Sequence, residues 1–453
     1  MWPNIRINPQ KIALGSLLLL AFATRSSALM ATIPKGSDPY LFGGAVVNLL
    51  NELSISAALP YGGVLTHIHL ESLFFLLFLV PFKLLFSDMK VVLKIVPGVL
   101  GAINVLGIYL FTKALTKEEE VAVLSALLLA FNPFHSYTTK IATPEGLALG
   151  LLFLSMYLLL EDKILFAGMM GGLILLTDYL IFGHYLIILF VYSLTNLDKE
   201  NLKDVATVLF LALIIAAPWQ LYLNSLSTAS TFSGNVGVAH AQKLLLLDPT
   251  VVADTLHFLP TAITPLHAFF VIGGLYMIRK KRHFKFLAIN LILFLILSLA
   301  NTGSLGAPPL RHLISLGVFS SVVSAEFLAS VRIKKPLFVF LLILSVASYF
   351  AYPMDFYVEF PRETVNVAEW INMEVPHKSV LSAPSPAYAV FTGRTSIYEN
   401  NPCGNREINY VVDDRNFERW PTSYKGKTLE ILDHNCLELV YKTKNVEVFK
   451  VVR

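Results

Sequence analysis

Val91 to Phe111 reads VVLKIVPGVLGAINVLGIYLF and decides the fold class, because a chain needs roughly 20 consecutive, mostly apolar residues to cross the hydrocarbon core as a helix. Comparable runs recur on either side: Ile12 to Thr24, Val121 to Phe134, Leu147 to Leu160, Ile164 to Leu176, Leu180 to Leu194 and Val205 to Tyr222. The series continues with Ile263 to Met277, Phe286 to Leu299, Leu313 to Ala329 and Leu337 to Ala351, about eleven expected transmembrane helices in all. Composition agrees. Of 453 residues, 55% are hydrophobic and 15% charged, and mean hydropathy is +0.64, which excludes an ordinary soluble globular chain.

An odd number of spans places the termini on opposite sides, and the basic loops say which side is which. Arg279 to Lys285 and Arg332 to Lys335 are the densest basic runs, and Lys113, Lys117, Lys163, Lys199 and Lys203 fall on the same side. That side is expected to be cytoplasmic, with the N-terminus. The net charge of +4 is therefore read as loop anchoring, and no nucleic-acid partner is expected. Leu70 to Phe86 would invert every later loop if counted as a span, so with His67, His69 and Glu71 before it and Pro81 and Lys83 within it, it is read as a re-entrant or interfacial helix on the outer surface. Ala28 to Ala31 also offers small residues for signal cleavage, but the first segment is read as an uncleaved anchor.

After Pro353 hydropathy collapses. Residues 1–353 are expected to form the membrane domain, and residues 354–453 a small extracytoplasmic α/β domain of about a hundred residues. A helix is expected over Thr364 to Met373 and strands over Ser379 to Leu381, Ile408 to Val412, Leu437 to Tyr441 and Val446 to Val451. Cys403 and Cys436, the only cysteines, would be able to pair outside the cytoplasm or stay as two thiols.

No phosphate-binding glycine loop, dinucleotide fingerprint or zinc-spaced His and Cys set occurs, so the candidate chemistry lies with ionisable residues at the membrane boundary, where burial is costly and function common. These are Arg25, Asp38, Lys140, Glu145, Asp178 and Arg311. Asp38 sits in Lys35-Gly36-Ser37-Asp38-Pro39-Tyr40-Leu41-Phe42, read as an acidic loop in which the proline favours an extended turn and the aromatics meet the headgroups. The long Asn224 to Pro260 connector is read as a substrate loop.

In order along the chain these features resemble the GT-C superfamily of polyprenyl-phosphate-sugar-dependent glycosyltransferases. Arg25 followed by Gly36-Ser37-Asp38-Pro39-Tyr40 looks like the first outer loop, whose aspartate is the superfamily's most general catalytic residue. The stretch from Thr112–Glu118 to Tyr137–Gly146 resembles the second and third helices of oligosaccharyltransferase catalytic subunits and protein mannosyltransferases, with an acid, here Glu145, opening the fourth. Pro218-Trp219 closing a helix and Arg311-His312-Leu313-Ile314 opening one resemble the mannosyltransferase branch. The Trp-Trp-Asp-Tyr-Gly acceptor motif of oligosaccharyltransferases is absent, which argues against en bloc glycan transfer to asparagine.

The resemblance implies a polytopic α-helical membrane glycosyltransferase that moves a sugar, with inversion, from a dolichyl- or polyprenyl-phosphate donor to a protein, glycan or lipid acceptor outside the cytoplasm. Asp38 would be the general base and Arg311, with Arg25, the ligand of the donor phosphate; Arg25 is also expected to pair with an outer acid. Glu145, Asp178, His67, His69 and Lys140 would be metal or substrate ligands, and a divalent cation such as Mg²⁺ or Mn²⁺ is a candidate cofactor. Membrane lipids are the remaining partners. The alternatives are a transporter or lipid-linked sugar flippase, for which the chain shows no repeated halves, and a non-catalytic sugar-lipid-binding member of the same fold.

Overall fold

The computed structural model describes residues 9–26, 38–53, 72–196, 198–229, 249–263, 265–300, 311–331, 343, 347, 362–385, 387–397, 402–415 and 436–452. The chain divides into two units that interleave along the sequence: Met1–Arg25, Pro97–Lys140 and Pro144–Asp355 in the first, and Ser26–Val96, Ile141–Thr143 and Phe356–Arg453 in the second.

The first unit is helical. It contains α1 (Pro9–Arg25), the part of α4 (Met89–Thr116) from Pro97 onward, α5 (Glu119–Ala130), α6 (Pro133–Thr139), α7 (Pro144–Leu160), α8 (Ile164–Leu175) and α9 (Tyr179–Thr195). It continues with α10 (Lys199–Ala229), α11 (Pro249–Ala262), α12 (Pro265–Ile278), α13 (Phe284–Leu299) and α14 (His312–Ser330). Helix α14 is the centre, packed on α5, α6, α11, α12 and α13 and buried along most of its length. Its sequence suits that place, because Ser315, Gly317, Ser320, Ser321, Ser324 and Ala325 are small enough to let neighbouring backbones approach.

Three helices among the described residues are long and apolar enough to cross a membrane unaided: Met89–Thr116, Lys199–Tyr222 and His312–Ser330. The other expected spans described here fall on shorter apolar helices or segments, and Leu337 to Ala351 lies outside the described residues apart from positions 343 and 347. The expected span Val121 to Phe134 is broken, since Asn132 and Pro133 end one helix and begin the next; Asn132 Oδ1 accepts the His135 N–H at 2.9 Å and Pro133 starts α6, where a missing N–H costs nothing. Pro218-Trp219 does not close a helix. Helix α10 runs through it to Ala229, and the Asn224 to Pro260 connector contains the start of α11 instead of being loop throughout.

The second unit begins with α2 (Asp38–Glu52) and α3 (Leu73–Phe86), takes in the first turns of α4, and ends in a mixed sheet. The extended turn expected at Asp38-Pro39 is instead the start of α2; an aspartate and a proline suit the first positions of a helix, where carboxylate meets the dipole and the ring fixes φ. The expected soluble helix is α15 (Arg362–Glu374), and the strands are β1 (Val380–Ser382), β3 (Ile408–Asp414), β4 (Leu437–Lys442) and β5 (Val446–Val451). Two short elements went unread, α16 (Ala387–Thr392) and β2 (Ser396–Ile397). Strand order is β2-β1-β3-β5-β4, with β1 parallel to β2 and β3, and β5 antiparallel to β3 and β4. Ile408 and Val411 bury against Ile397, Leu437, Phe449 and Val451, and a disulfide joins Cys403 to Cys436 with Cα atoms 5.9 Å apart.

Candidate functional site

In the helical unit two cationic centres stand at helix ends. Arg311 is the N-cap of α14 and Glu145 lies in the first turn of α7; Arg311 Nη1 is 2.9 Å from Glu145 Oε1. The arginine side chain keeps 42% of its surface and the glutamate 14%, so the pair presents a guanidinium that can still be reached. Two residues expected to have separate tasks, phosphate and metal or substrate, are thus one ion pair. A guanidinium fork can exchange a carboxylate for a phosphate, since both are planar-edged oxyanions that it binds with two N–H groups.

Arg25 is of a different kind. It ends α1 and is fully buried. Its Nε donates to Thr139 Oγ1 at 2.9 Å, Nη1 to Thr24 Oγ1 at 3.0 Å, and Nη2 to the Ala130 carbonyl at 3.1 Å and His135 Nδ1 at 3.2 Å. Gly101 makes the room, because a Cβ there would stand 2.0 Å from Arg25 Cδ. Since Nδ1 accepts from arginine, the His135 proton sits on Nε2. Burial and the Arg25 charge hold this imidazole well below its usual pKa, so it is neutral.

Asp178 is the N-cap of α9, its Oδ1 accepting the Ile181 N–H at 2.8 Å. Lys140 follows α6 and is half-buried. Asp38 is the first residue of α2, in the other unit. His67 and His69 lie outside the described residues.

Two polar clusters escaped the sequence reading. His184 Nε2 is 2.7 Å from His312 Nδ1, and Ser315 Oγ is 2.8 Å from His184 Nδ1, a buried chain directly behind Arg311 in sequence. At the basic loop, Lys281 Nζ donates to Glu118 Oε1 at 2.8 Å and to the fully buried Glu326 Oε2 at 2.6 Å, while His283 Nε2 lies 2.7 Å from Glu326 Oε1. Burial works against the Lys281 charge, but its bonds to Glu118 and Glu326 raise its pKa above the ordinary value. Beside it opens a cavity of about 600 Å³ lined by Lys117, Tyr192, Asn201 and Arg282 among others. A glutamate in an apolar span was the available signal for the second cluster; histidines at 184 and 312 carried none, their separation in sequence being 128.

No three His, Cys, Asp or Glu side chains gather among the described residues, and Glu145 already engages Arg311.

Residues 71–222 match the family of dolichyl-phosphate-mannose-protein mannosyltransferases. No curated protein matches the sequence. Among solved structures, the fold is similar to that of ArnT from Cupriavidus metallidurans bound to undecaprenyl phosphate, at 13% identity over 97% of each chain with a TM-score of 0.60. It is also similar to the archaeal oligosaccharyltransferase AglB from Archaeoglobus fulgidus in complex with an inhibitory peptide and a dolichol-phosphate, at 15% identity over 90% of this chain and 70% of that one, TM-score 0.55. A third likeness is to the arabinofuranosyltransferase AftD from mycobacteria, at 13% identity over 98% of this chain but 40% of that one, TM-score 0.54. The resemblance to GT-C glycosyltransferases read from the motifs is therefore present in both a family match and the fold. At these identities the structural likeness concerns the fold, and residue roles have to be argued from this chain.

Proposed function

We propose that the protein is a multi-pass membrane glycosyltransferase that moves a sugar from a polyprenyl- or dolichyl-phosphate donor to an acceptor on the extracytoplasmic face, with inversion at the anomeric carbon. The observation that carries this reading is the Arg311–Glu145 pair at the starts of α14 and α7, a reachable oxyanion-binding fork in a fold similar to one solved with undecaprenyl phosphate.

In the proposed reaction the acceptor hydroxyl oxygen attacks the anomeric carbon from the face opposite the leaving group. The bond from that carbon to the phosphate oxygen breaks, its electron pair leaves with the polyprenyl phosphate, and the hydroxyl proton passes to the Asp38 carboxylate. A carboxylate acting as general base contributes about 10²–10⁴-fold. Negative charge grows on the phosphate as the glycosidic bond breaks, so Arg311, moving from Glu145 to phosphate oxygens, stabilises the transition state more than the bound donor. Glu145 holds the fork in place between turnovers. Arg25, enclosed by Thr139, Ala130 and His135, would act on the phosphate only through the charge it holds at the end of α1. The described residues do not assemble a set of ligands for Mg²⁺ or Mn²⁺, and no step is routed through a cation.

The test is transfer of radiolabelled sugar from a panel of polyprenyl-phosphate donors in membranes holding matched amounts of wild type, Asp38→Asn and Arg311→Ala. Asp38→Asn is nearly isosteric, and its transfer is expected to fall by at least about 10²-fold. Wild-type rates from Asp38→Asn would end the base assignment. Turnover of no donor on the panel would move a transport or binding role to the front.

A further inference from the structure

In the second unit, α2 is fastened to the segment between α16 and β2 by contacts that fix its register. Asn48 and Ser396 are fully buried. Asn48 Nδ2 donates to the Ser396 carbonyl at 2.7 Å, and the Ser396 N–H donates to Asn48 Oδ1 at 3.0 Å. One side-chain amide thus occupies both backbone groups of a residue in β2, the edge strand of the sheet, much as a neighbouring strand would. One turn further on, Asn51 Nδ2 donates to the Gly393 carbonyl at 3.1 Å, and Thr395 Oγ1 donates to Glu52 Oε1 at 2.7 Å. Near the head of the helix the contact is apolar: the Tyr40 ring lies 5.3 Å from that of Phe391, and a Cβ on Gly43 would meet Val390 Cγ2 at 3.0 Å.

Apolar packing alone would hold α2 in place but would tolerate a small slide or roll. A buried two-way amide pair does not, because a rotation of one residue breaks both bonds and leaves polar groups without partners in a dry setting. Asp38 stands ten residues before Asn48 on the same helix, about 15 Å along its axis, so a change of tilt at the tail is carried to the head.

We propose that Asn48 is a positioning residue for Asp38: by closing the edge of β2 it sets the register of α2 and hence the place of the acid that begins it. The proposal rests on the assignment of Asp38 as general base. It gives the C-terminal segment a part in the reaction that does not require it to bind the acceptor.

The experiment is a double-mutant cycle in the full-length protein reconstituted in liposomes, with Asn48→Leu and Asp38→Asn made singly and together, and kcat and donor KM measured by sugar transfer. Asn48→Asp, which keeps the acceptor for the Ser396 N–H, serves as the conservative variant and replaces Asn48→Leu if the latter does not accumulate. Misplacing a reacting group by 1 Å can cost about 10²-fold, so Asn48→Leu is expected to lower kcat by roughly that factor with donor KM changed less than about twofold. Asn48→Asp should recover part of the loss, and Asn48→Leu should cost nothing further in the Asp38→Asn protein. An unchanged kcat in Asn48→Leu, or the same fractional loss in both backgrounds, overturns the proposal, the second result marking a merely structural contact. If Asp38→Asn alone transfers normally, the base assignment fails, and the positioning role falls with it through a different arm.

Discussion

Arg25 shows how much of a residue's setting a sequence leaves unsaid. Its position at the end of the first apolar run marked it as a boundary cation, and an acid was the expected partner. Among the described residues its guanidinium has hydroxyl, carbonyl and imidazole partners, the long-range ones separated from it by between 105 and 114 residues. No local pattern announces Thr139 or His135 as part of one cluster. His135 supplies a pH test at this scale. Its folded pKa lies well below the ordinary 6.5 because it is buried and beside Arg25. Below that pH the unfolded chain binds a proton that the folded chain refuses, so the contribution to stability is whole above about pH 6.5 and is lost as pH falls further. Thermal melts in detergent between pH 7.5 and about 5 should show this decline, and His135→Gln should flatten it; an identical slope in the variant would place the effect elsewhere.

At the scale of elements, the apolar runs were legible and their partners were not. Helices α8 and α10 meet along a seam where Gly168 and Gly172 stand one turn apart, and a Cβ on either would lie 2.6 Å from Leu211 Cβ or 2.7 Å from Ile215 Cβ. Close approach of this kind is how helices associate in a bilayer, where apolar side chains gain little by leaving lipid. Gly172→Leu should force the seam apart and cost about 1–3 kcal/mol, read as a lower unfolding midpoint in detergent, whereas the same change at Gly183, with nothing among the described residues within 4 Å of its would-be Cβ, should be mild. The Asp38 stretch illustrates the opposite case. Its polar residues and proline read as a turn, yet the same aspartate and proline are good first residues of a helix once apolar residues from Tyr40 to Val47 have a surface to cover. Pro218 likewise sits inside α10, because neighbouring groups in a membrane bundle can satisfy the backbone that a proline frees.

On the scale of the whole molecule the chain folds as two interleaved units, and the second gathers residues from near the start and from the end of the sequence. The disulfide between Cys403 and Cys436, with a sequence separation of 33, belongs to that unit, and closing such a loop is worth roughly 3–4 kcal/mol in the chain-entropy account. Reductant should therefore lower the unfolding midpoint of the purified protein, and Cys403→Ser with Cys436→Ser should melt at the reduced value whether or not reductant is present; a midpoint indifferent to reductant would show that the bridge does not form. The sequence by itself determined the membrane class, the run of apolar helices and the strands of the C-terminal segment, because hydrocarbon demands long apolar runs and strands demand alternation, and both demands are local in the chain. Only the tertiary structure decided that Arg311 meets Glu145, that Arg25 meets His135 and that Asn48 completes the edge of β2 across 348 residues. Those pairings depend on which face of one element is pressed against another, a choice made by packing and polar satisfaction over the folded chain and left unwritten in the spacing of residues along it.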